Sequence, residues 1–370
     1  MKLSVGVDLH KSQFTVCMLS EDREVLAHSK HLTNKKGYED FINTLEDYEN
    51  EGYKVTVAVE STGNTRFFRN QVVKKGIEVK VVNTAKFKVV TQSVKKTDRH
   101  DAYTLAEFLE KDMLPESRLC SLESEQIRRV IKARSIVVKA LISLKNQIHG
   151  LLLSYGIESK RGQLQSKKER QRILRGLEDH KFIGNAALTV KPLFNTIDKL
   201  YEEVKQLEKV LEVLVKNDEN VDLLKTIPGV GMITAATIRA FTDDINRFES
   251  SKKYAAHSGL VPWVQNSNDT IRHGHITKRG PKELRTAFVQ VVMGMIRYKK
   301  ATGAYRVMNK YHIMKANKGS GKAIIATARK VSKFVWAMLT NRMPFDPLKM
   351  INMKEYRDMQ IAACYAAMAG

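Results

Sequence analysis

"YKVTVAVEST", Tyr53–Thr62, decides the fold of the first part of the chain. The run is β-branched and mostly apolar, the pattern of a central strand buried on both faces, and Glu60 stands where the chain leaves it. Upstream, Leu3–Val7 is a short apolar run that ends in Asp8, and Gln13–Ser20 and Glu24–Leu32 read as two further strands with short polar joins suited to hairpins. Tyr38–Glu49 has helical spacing, Asn64–Gly76 reads as a second helix and Ile77–Asn83 as another strand. The order β-β-β-α-β-α-β is that of a ribonuclease-H-like (RuvC-like) α/β domain. In such a sheet the strands ending in Asp8 and Glu60 are neighbours, so both carboxylates gather at one edge.

"KKTDRHDAYTLAEFL", Lys95–Leu109, then runs from a basic turn into an apolar helical pattern. Asp98 as an N-cap and Asp101 in the first turn are ordinary uses of acidic residues at a helix start. Positions three apart also share a helix face, so the same two aspartates can join Asp8 and Glu60. Four gathered carboxylates repel one another unless hard divalent cations such as Mg²⁺ relieve them. With Asp8 and Glu60 present, the metal-site reading outweighs the capping one. Mg²⁺ on oxygen ligands suits phosphodiester chemistry, because it activates a nucleophile and neutralises a leaving oxygen.

Composition points to the same substrates. The 370 residues carry a formal net charge of +23, with a pI near 9.8. That excess predicts a polyanionic partner, nucleic acid first. No segment offers about 18 consecutive apolar residues, and Asp8 comes too early for a signal peptide, so neither a membrane nor a secreted protein is expected. Cys17, Cys120 and Cys364 lack the spacing of a zinc site or a disulfide framework, which fits a cytoplasmic protein.

From Ser124 the pattern turns helical. Ile127, Val130, Val137, Leu141, Leu144, Ile148 and Leu151 keep a three–four spacing that Arg134 interrupts, and Ile197 to Leu214 keeps it throughout. Two such helices are expected to pair as an antiparallel coiled coil or to meet copies in another subunit. The basic segment between them, Ser159–Gly176, reads equally as a solvated surface and as a nucleic-acid contact. Ile227-Pro228-Gly229-Val230-Gly231 is a helix-hairpin-helix signature, in which glycines let backbone N–H groups approach a phosphate; the alternative is a tight turn between packed helices. Lys282–Leu339 is helical and lysine-rich. Its "NKGSGKA" (Asn317–Ala323) lacks the spacing and the preceding strand of a phosphate loop, which excludes nucleotide binding of that kind.

"GVDLHK" around Asp8, "VAVESTG" around Glu60 and "KTDRHDAYTLA" around Asp98 and Asp101 resemble the D-E-D-D set of the IS110/IS1111 transposases. "SGLVPWVQNSNDTIRHGHITKRGPKELRTAFVQ" (Ser258–Gln290) is similar to that family's second signature, a G-L-x-P run, a serine-bearing loop and R-x-G-x-I-T-K-x-G. The family pattern has two adjacent serines and a glycine where this chain has Asn266-Ser267-Asn268.

The resemblance implies a DNA recombinase in which Ser267 attacks a phosphodiester to form a phosphoserine link. Arg272, Lys278 and Arg279 would supply positive charge nearby, and His273 and His275 would be proton shuttles or loop residues. Lys11, Gly229, Gly231, Arg272, Lys278 and Arg279 are the expected nucleic-acid contacts. The resemblance further implies a homo-oligomer, dimer or tetramer, in which the carboxylate domain of one subunit completes the serine site of another, and a structured guide RNA that pairs with donor and target DNA in a prokaryotic cell.

The expected organisation is a carboxylate domain over residues 1–115, a helical coiled-coil region over 116–220, a mostly helical transposase domain over 221–345 and a tail over 346–370. Two other readings compete with recombination: a metal-dependent junction resolvase that uses water, and a non-catalytic nucleic-acid-binding scaffold.

Overall fold

The structure is a computed structural model that describes residues 1–84, 86–87, 97–160, 162–178, 186–267, 270–351, 357 and 361, with side chains described outside 265–273. Two compact units divide the chain, Met1–Cys120 and Ser121–Gly370. The first is mixed α/β; the second is mostly helical.

In the first unit, β1 (Lys2–Leu9), β2 (Gln13–Leu19), β3 (Val25–Leu32), β4 (Lys54–Glu60) and β5 (Glu78–Val82) form a sheet of order β3-β2-β1-β4-β5. β1 is antiparallel to β2 and parallel to β4, with Val7 aligned on Val59. The interiors of β1 and β4 are buried on both faces, which is why their sequences are near-continuous apolar runs instead of alternating ones. Leu3, Val5 and Val7 face a cluster containing Phe14, Phe41 and Phe68, to which the helices α1 (Lys35–Asn50) and α2 (Thr65–Val73) contribute.

The opposite face takes α3 (Asp98–Glu110), whose Ala102, Leu105, Ala106 and Leu109 are buried. Gly6 makes that packing possible: a Cβ there would stand 2.1 Å from the carbonyl oxygen of Ala102 and 2.4 Å from the nitrogen of Ala106. α3 runs antiparallel to β1, since Lys2 Nζ donates to the carbonyl of Glu110 at its far end (3.2 Å). Its N-terminal turn therefore lies at the Asp8 end of β1.

In the second unit, α4 (Leu122–Ser154) and α6 (Ala186–Leu214) form an antiparallel pair, with α5 (Lys167–Glu178) packed on α6. Arg134 pairs with Glu208 (2.7 Å), and eleven residues later Lys145 reaches the Tyr201 hydroxyl (2.5 Å). The residue that interrupts the apolar spacing of α4 is thus an ion-pairing position between the two helices. By length and composition alone α4 could cross a bilayer; here Leu141, Ile148 and Leu152 are buried against α6 and its neighbours. In the basic segment, Arg170 is buried, pairs with Asp198 and donates to the carbonyl of Leu164 (2.8 Å), so this cation serves the fold.

The larger core of this unit joins α7 (Glu219–Lys225), α8 (Met232–Thr242), α9 (Ser251–His257), α10 (Lys282–Arg297), α11 (Arg306–Lys318) and α12 (Ser320–Asn341), with short turns at Lys299–Thr302 and Pro347–Met350. Lys282–Leu339 is broken into several helices and is not one continuous run. A hairpin of β6 (Pro262–Ser267) and β7 (Thr270–Ile276) projects from it, with a register shift between Pro262 and Val264.

Candidate active site

The carboxylate centre is built by the ends of three elements. Val7 and Val59 are aligned, so Asp8 and Glu60 each follow a paired residue on adjacent parallel strands. Side chains alternate along a strand, which puts Asp8 on the face of Gly6 and Glu60 on the face of Ala58. Both are the face that α3 covers. On α3, positions 98, 101, 102, 105 and 109 form one stripe, so the two aspartates extend the buried Ala102–Leu105–Leu109 row beyond the sheet edge.

The capping alternative for Asp98 is not the one the structure takes. Thr97 is the cap, its hydroxyl accepting from His100 N (3.2 Å), while Asp98 and Asp101 occupy the first helical turn. The threonine meets the orphan N–H group and leaves the Asp98 carboxylate available.

Asp8, Asp98 and His10 come together with their ligand atoms within 4.8 Å of one another. His10 Nε2 lies 3.0 Å from Asp8 Oδ2 and 3.6 Å from Asp98 Oδ1. Asp101 is close enough to act electrostatically on Asp8, and Glu60 stands on the adjoining strand end; neither belongs to the tight trio. Burial pushes the Asp8 carboxyl above its ordinary value, His10 pulls it back, and the charges of Asp101 and Asp98 push it up again. Asp8 is thus a partly buried carboxylate repelled by two others, an arrangement whose repulsion a bound cation would relieve.

His10 is the residue that sequence reasoning missed. Its signal was present in the D-x-H spacing of Asp8 and His10 at the close of a strand, which puts both on one side. Its place is fixed from the next strand end: Asn64 Nδ2 donates to the His10 carbonyl (2.9 Å). Asn64 belongs to the turn after Glu60, where Thr65 Oγ1 donates to the Glu60 carbonyl (2.6 Å) and accepts from Thr62 N (2.7 Å). Lys11 is exposed immediately beyond the trio.

Ser267 is in the second unit, paired with Thr270 at the end of the hairpin remote from Pro262. The side chains of Ser267, Arg272 and His273, and Asn268 altogether, lie outside the described residues. Lys278 and Arg279 are exposed on the turn after β7. Lys278 has a φ of 53°, its N–H bonds the Gly259 carbonyl (3.2 Å), and a Cβ on Gly280 would collide with the His257 carbonyl at 1.8 Å. The K-x-G of this motif thus forms a strained turn locked against the end of α9.

Gly229 and Gly231 lie between α7 and α8, a helix–turn–helix arrangement. Gly229 has a φ of 84°, and a Cβ on it would meet the backbone of Gly294 in α10 at 2.7 Å. Close packing alone therefore accounts for this glycine, whose other side is exposed.

Comparison with known proteins fits both units. A family model of IS110-type DEDD transposases matches residues 5–157, and one described as transposase IS116/IS110/IS902 family matches residues 221–306, more than half of the chain between them. The chain belongs to the IS110/IS1111 family of transposases. The transposase for insertion sequence element IS1111A of Coxiella burnetii is 26% identical over 340 residues, covering 91% of this chain and 90% of its own. The transposase for element IS1328 of Yersinia enterocolitica is 26% identical over 290 residues, 77% of this chain and 83% of its own. The pilin gene-inverting protein of Moraxella bovis is 22% identical over 353 residues, 93% of this chain and 98% of its own. This transposase is accordingly an enzyme acting on DNA.

Proposed function

We infer that this transposase cuts and rejoins DNA with two chemical parts, a carboxylate centre of Asp8, Glu60, Asp98 and Asp101 that holds Mg²⁺, and a nucleophile, Ser267. The observation that carries the reading is the approach of Asp8 and Asp98, from a strand end and a helix start about ninety residues apart in sequence, to within reach of one ion. The sheet order β3-β2-β1-β4-β5 supports a ribonuclease-H-like assignment for the first unit. The antiparallel α4–α6 pair supports a coiled-coil middle.

The donor chemistry fits a hard divalent cation: carboxylate oxygens converge, and the one imidazole can bond a coordinated water or a phosphate as well as an ion. When bound, Mg²⁺ neutralises charge on the phosphate and lowers the cost of forming an oxygen nucleophile. Asp8 and Asp98 supply its ligands, Asp101 and Glu60 extend the set, and His10 holds Asp8 and Asp98 in register. At Ser267 the Oγ–P bond forms as the P–O bond to the leaving sugar oxygen breaks, and the hydroxyl proton passes to a base. Arg272, Lys278 and Arg279 offset charge on the phosphate, while Lys11 and the Gly229–Gly231 turn contact the backbone.

The enzyme works as a homo-oligomer on donor and target DNA with a structured guide RNA. Residues 1–115, 116–220, 221–345 and 346–370 are its carboxylate, coiled-coil, serine and tail segments. The net charge of +23 supports nucleic-acid partners of either kind.

The test is a cleavage assay with the element's ends, its flanking noncoding RNA and Mg²⁺, resolved on denaturing gels. Wild-type protein forms a protein–DNA adduct; Ser267→Ala and Asp101→Asn both lose it, and EDTA abolishes it. Cleavage that survives Ser267→Ala and fails in Asp101→Asn identifies a water-using nuclease instead.

A further inference from the structure

The second unit contains a cleft of about 670 Å³ between the base of the β6–β7 hairpin and α12. Its charged lining is of one sign among the described residues: Lys278 from the turn after β7, and Lys322, Arg329, Lys330 and Lys333 from α12. Lys322, Arg329 and Lys333 share one helix face with Lys330 at its edge, turned away from the buried Val331 and Val335. None of these five side chains has an ion pair with a described carboxylate.

The concentration of charge is a physical cost. Arg329 Nε is buried with no hydrogen-bond acceptor. Lys330 is held down to about 8 by partial burial and by the ammonium groups of Lys310 on α11 and Lys333. A cluster of mutually repelling cations without carboxylate partners is relieved by an anionic ligand. Apart from His275, the rest of the described wall is apolar or glycine and includes Ile276 and Ile325.

We propose that this cleft binds the phosphodiester backbone of a single DNA strand, on its way to or from the hairpin that carries Ser267. Its volume is that of a small-molecule site and accommodates a stretch of roughly two nucleotides, whereas a duplex is too wide. A cationic groove with apolar walls, free of acidic side chains, grips backbone without reading sequence. The position selects DNA over RNA. Pro262 at the cleft and Ser267 at the far end of β6 are five residues apart, roughly 16 Å along a strand, so a strand held in the cleft lies a few nucleotides from the hairpin's end. The "NKGSGKA" turn thereby acquires a role that its spacing denied it as a nucleotide loop, since Gly321 and Lys322 open α12 at the cleft. The choice of DNA rests on the proposed role of Ser267; the anion site does not.

The test uses full-length protein in a Ser267→Ala background, so that binding is read independently of cleavage. Fluorescence anisotropy is followed with single-stranded DNA of about 20 nucleotides, the matching duplex and the matching RNA, across a salt series. Lys330→Gln/Lys333→Gln is expected to weaken single-stranded DNA binding about tenfold and to flatten the salt slope by about 1.4, from about 0.7 per lost phosphate contact. Lys322→Gln, on an exposed position of the first turn of α12, guards against a folding artefact and is expected to show about half the slope change. A control, Lys205→Gln/Lys209→Gln on the exposed face of α6, is expected to change affinity less than about twofold. Equal small effects in the cleft and control variants overturn the proposal, as does a loss confined to RNA or to duplex. Loss of the wild-type adduct assay with the cleft result intact would remove Ser267 alone.

Discussion

Gly6 on β1 and Ala102 on α3 are in backbone contact so close that a single Cβ on Gly6 would sit 2.1 Å from the Ala102 carbonyl oxygen. This contact sets how deeply α3 lies on the sheet, and hence where Asp98 and Asp101 stand relative to Asp8. Gly6→Ala must push the helix outward. Overpacking of this kind costs about 1–3 kcal/mol or more. A lowered Tm together with loss of DNA cleavage, measured under conditions where the protein remains folded, is the expected outcome.

Asn64 ties the chain after β1 to the turn after β4 through the His10 carbonyl (2.9 Å). Asn64→Ala removes two exposed hydrogen bonds, this one and the donation from Thr62 Oγ1 to Asn64 Oδ1 (2.9 Å), each worth about 1 kcal/mol or less. Its effect on cleavage is expected to exceed its effect on stability, and the Mg²⁺ concentration needed for half-maximal cleavage is expected to rise. Unchanged metal dependence would mean that His10 does not need this anchor.

Arg239 is a hub of the second unit. It pairs with Asp218, the N-cap of α7, donates to Ser124 Oγ and reaches Glu123 (3.2 Å). Arg239→Met leaves a largely buried carboxylate without its partner, at a cost on the order of 3 kcal/mol. Chemical denaturation should report that loss, and Arg239→Met/Asp218→Asn should recover part of it.

His257 is held down to about 4 by burial first and then by the charge of Arg247, so the folded state keeps it neutral while the unfolded chain titrates at 6.5. Between these values the unfolded state binds the extra proton. Stability is therefore fully present above about pH 6.5 and falls as the pH drops toward about 4, by something on the order of 2 kcal/mol. Thermal melts over this range should show a slope that is reduced in His257→Gln.

The sheet was legible because its central strands are buried on both faces, so Val5, Val7, Val57 and Val59 leave an uninterrupted apolar signal, and because Asp8 and Glu60 mark their ends. The helix bearing Asp98 and Asp101 was legible from the apolar row at 102, 105 and 109. What stayed hidden are contacts made by atoms without a pattern: Thr97 rather than Asp98 as the cap, the His10 imidazole between two aspartates, and the Asn64 anchor. Each depends on one side-chain atom meeting a group distant in sequence. Arg134 and Arg170 show the same limit, since periodicity marks the first as an interruption and charge marks the second as surface, whereas both are partnered in the fold. The cationic face of α12 was present as a lysine-rich helix; only its packing beside the hairpin makes a cleft of it.

The most direct test of the account is to locate the bond between protein and DNA. Adduct formed with the element's own ends is digested with nuclease and trypsin, and the peptide Tyr254–Arg272 is fragmented in a mass spectrometer. The account predicts a nucleotide phosphate on Ser267, lost in Ser267→Ala and dependent on Mg²⁺ and Asp101. A phosphate on another residue, or cleaved DNA with no protein attached, would contradict it.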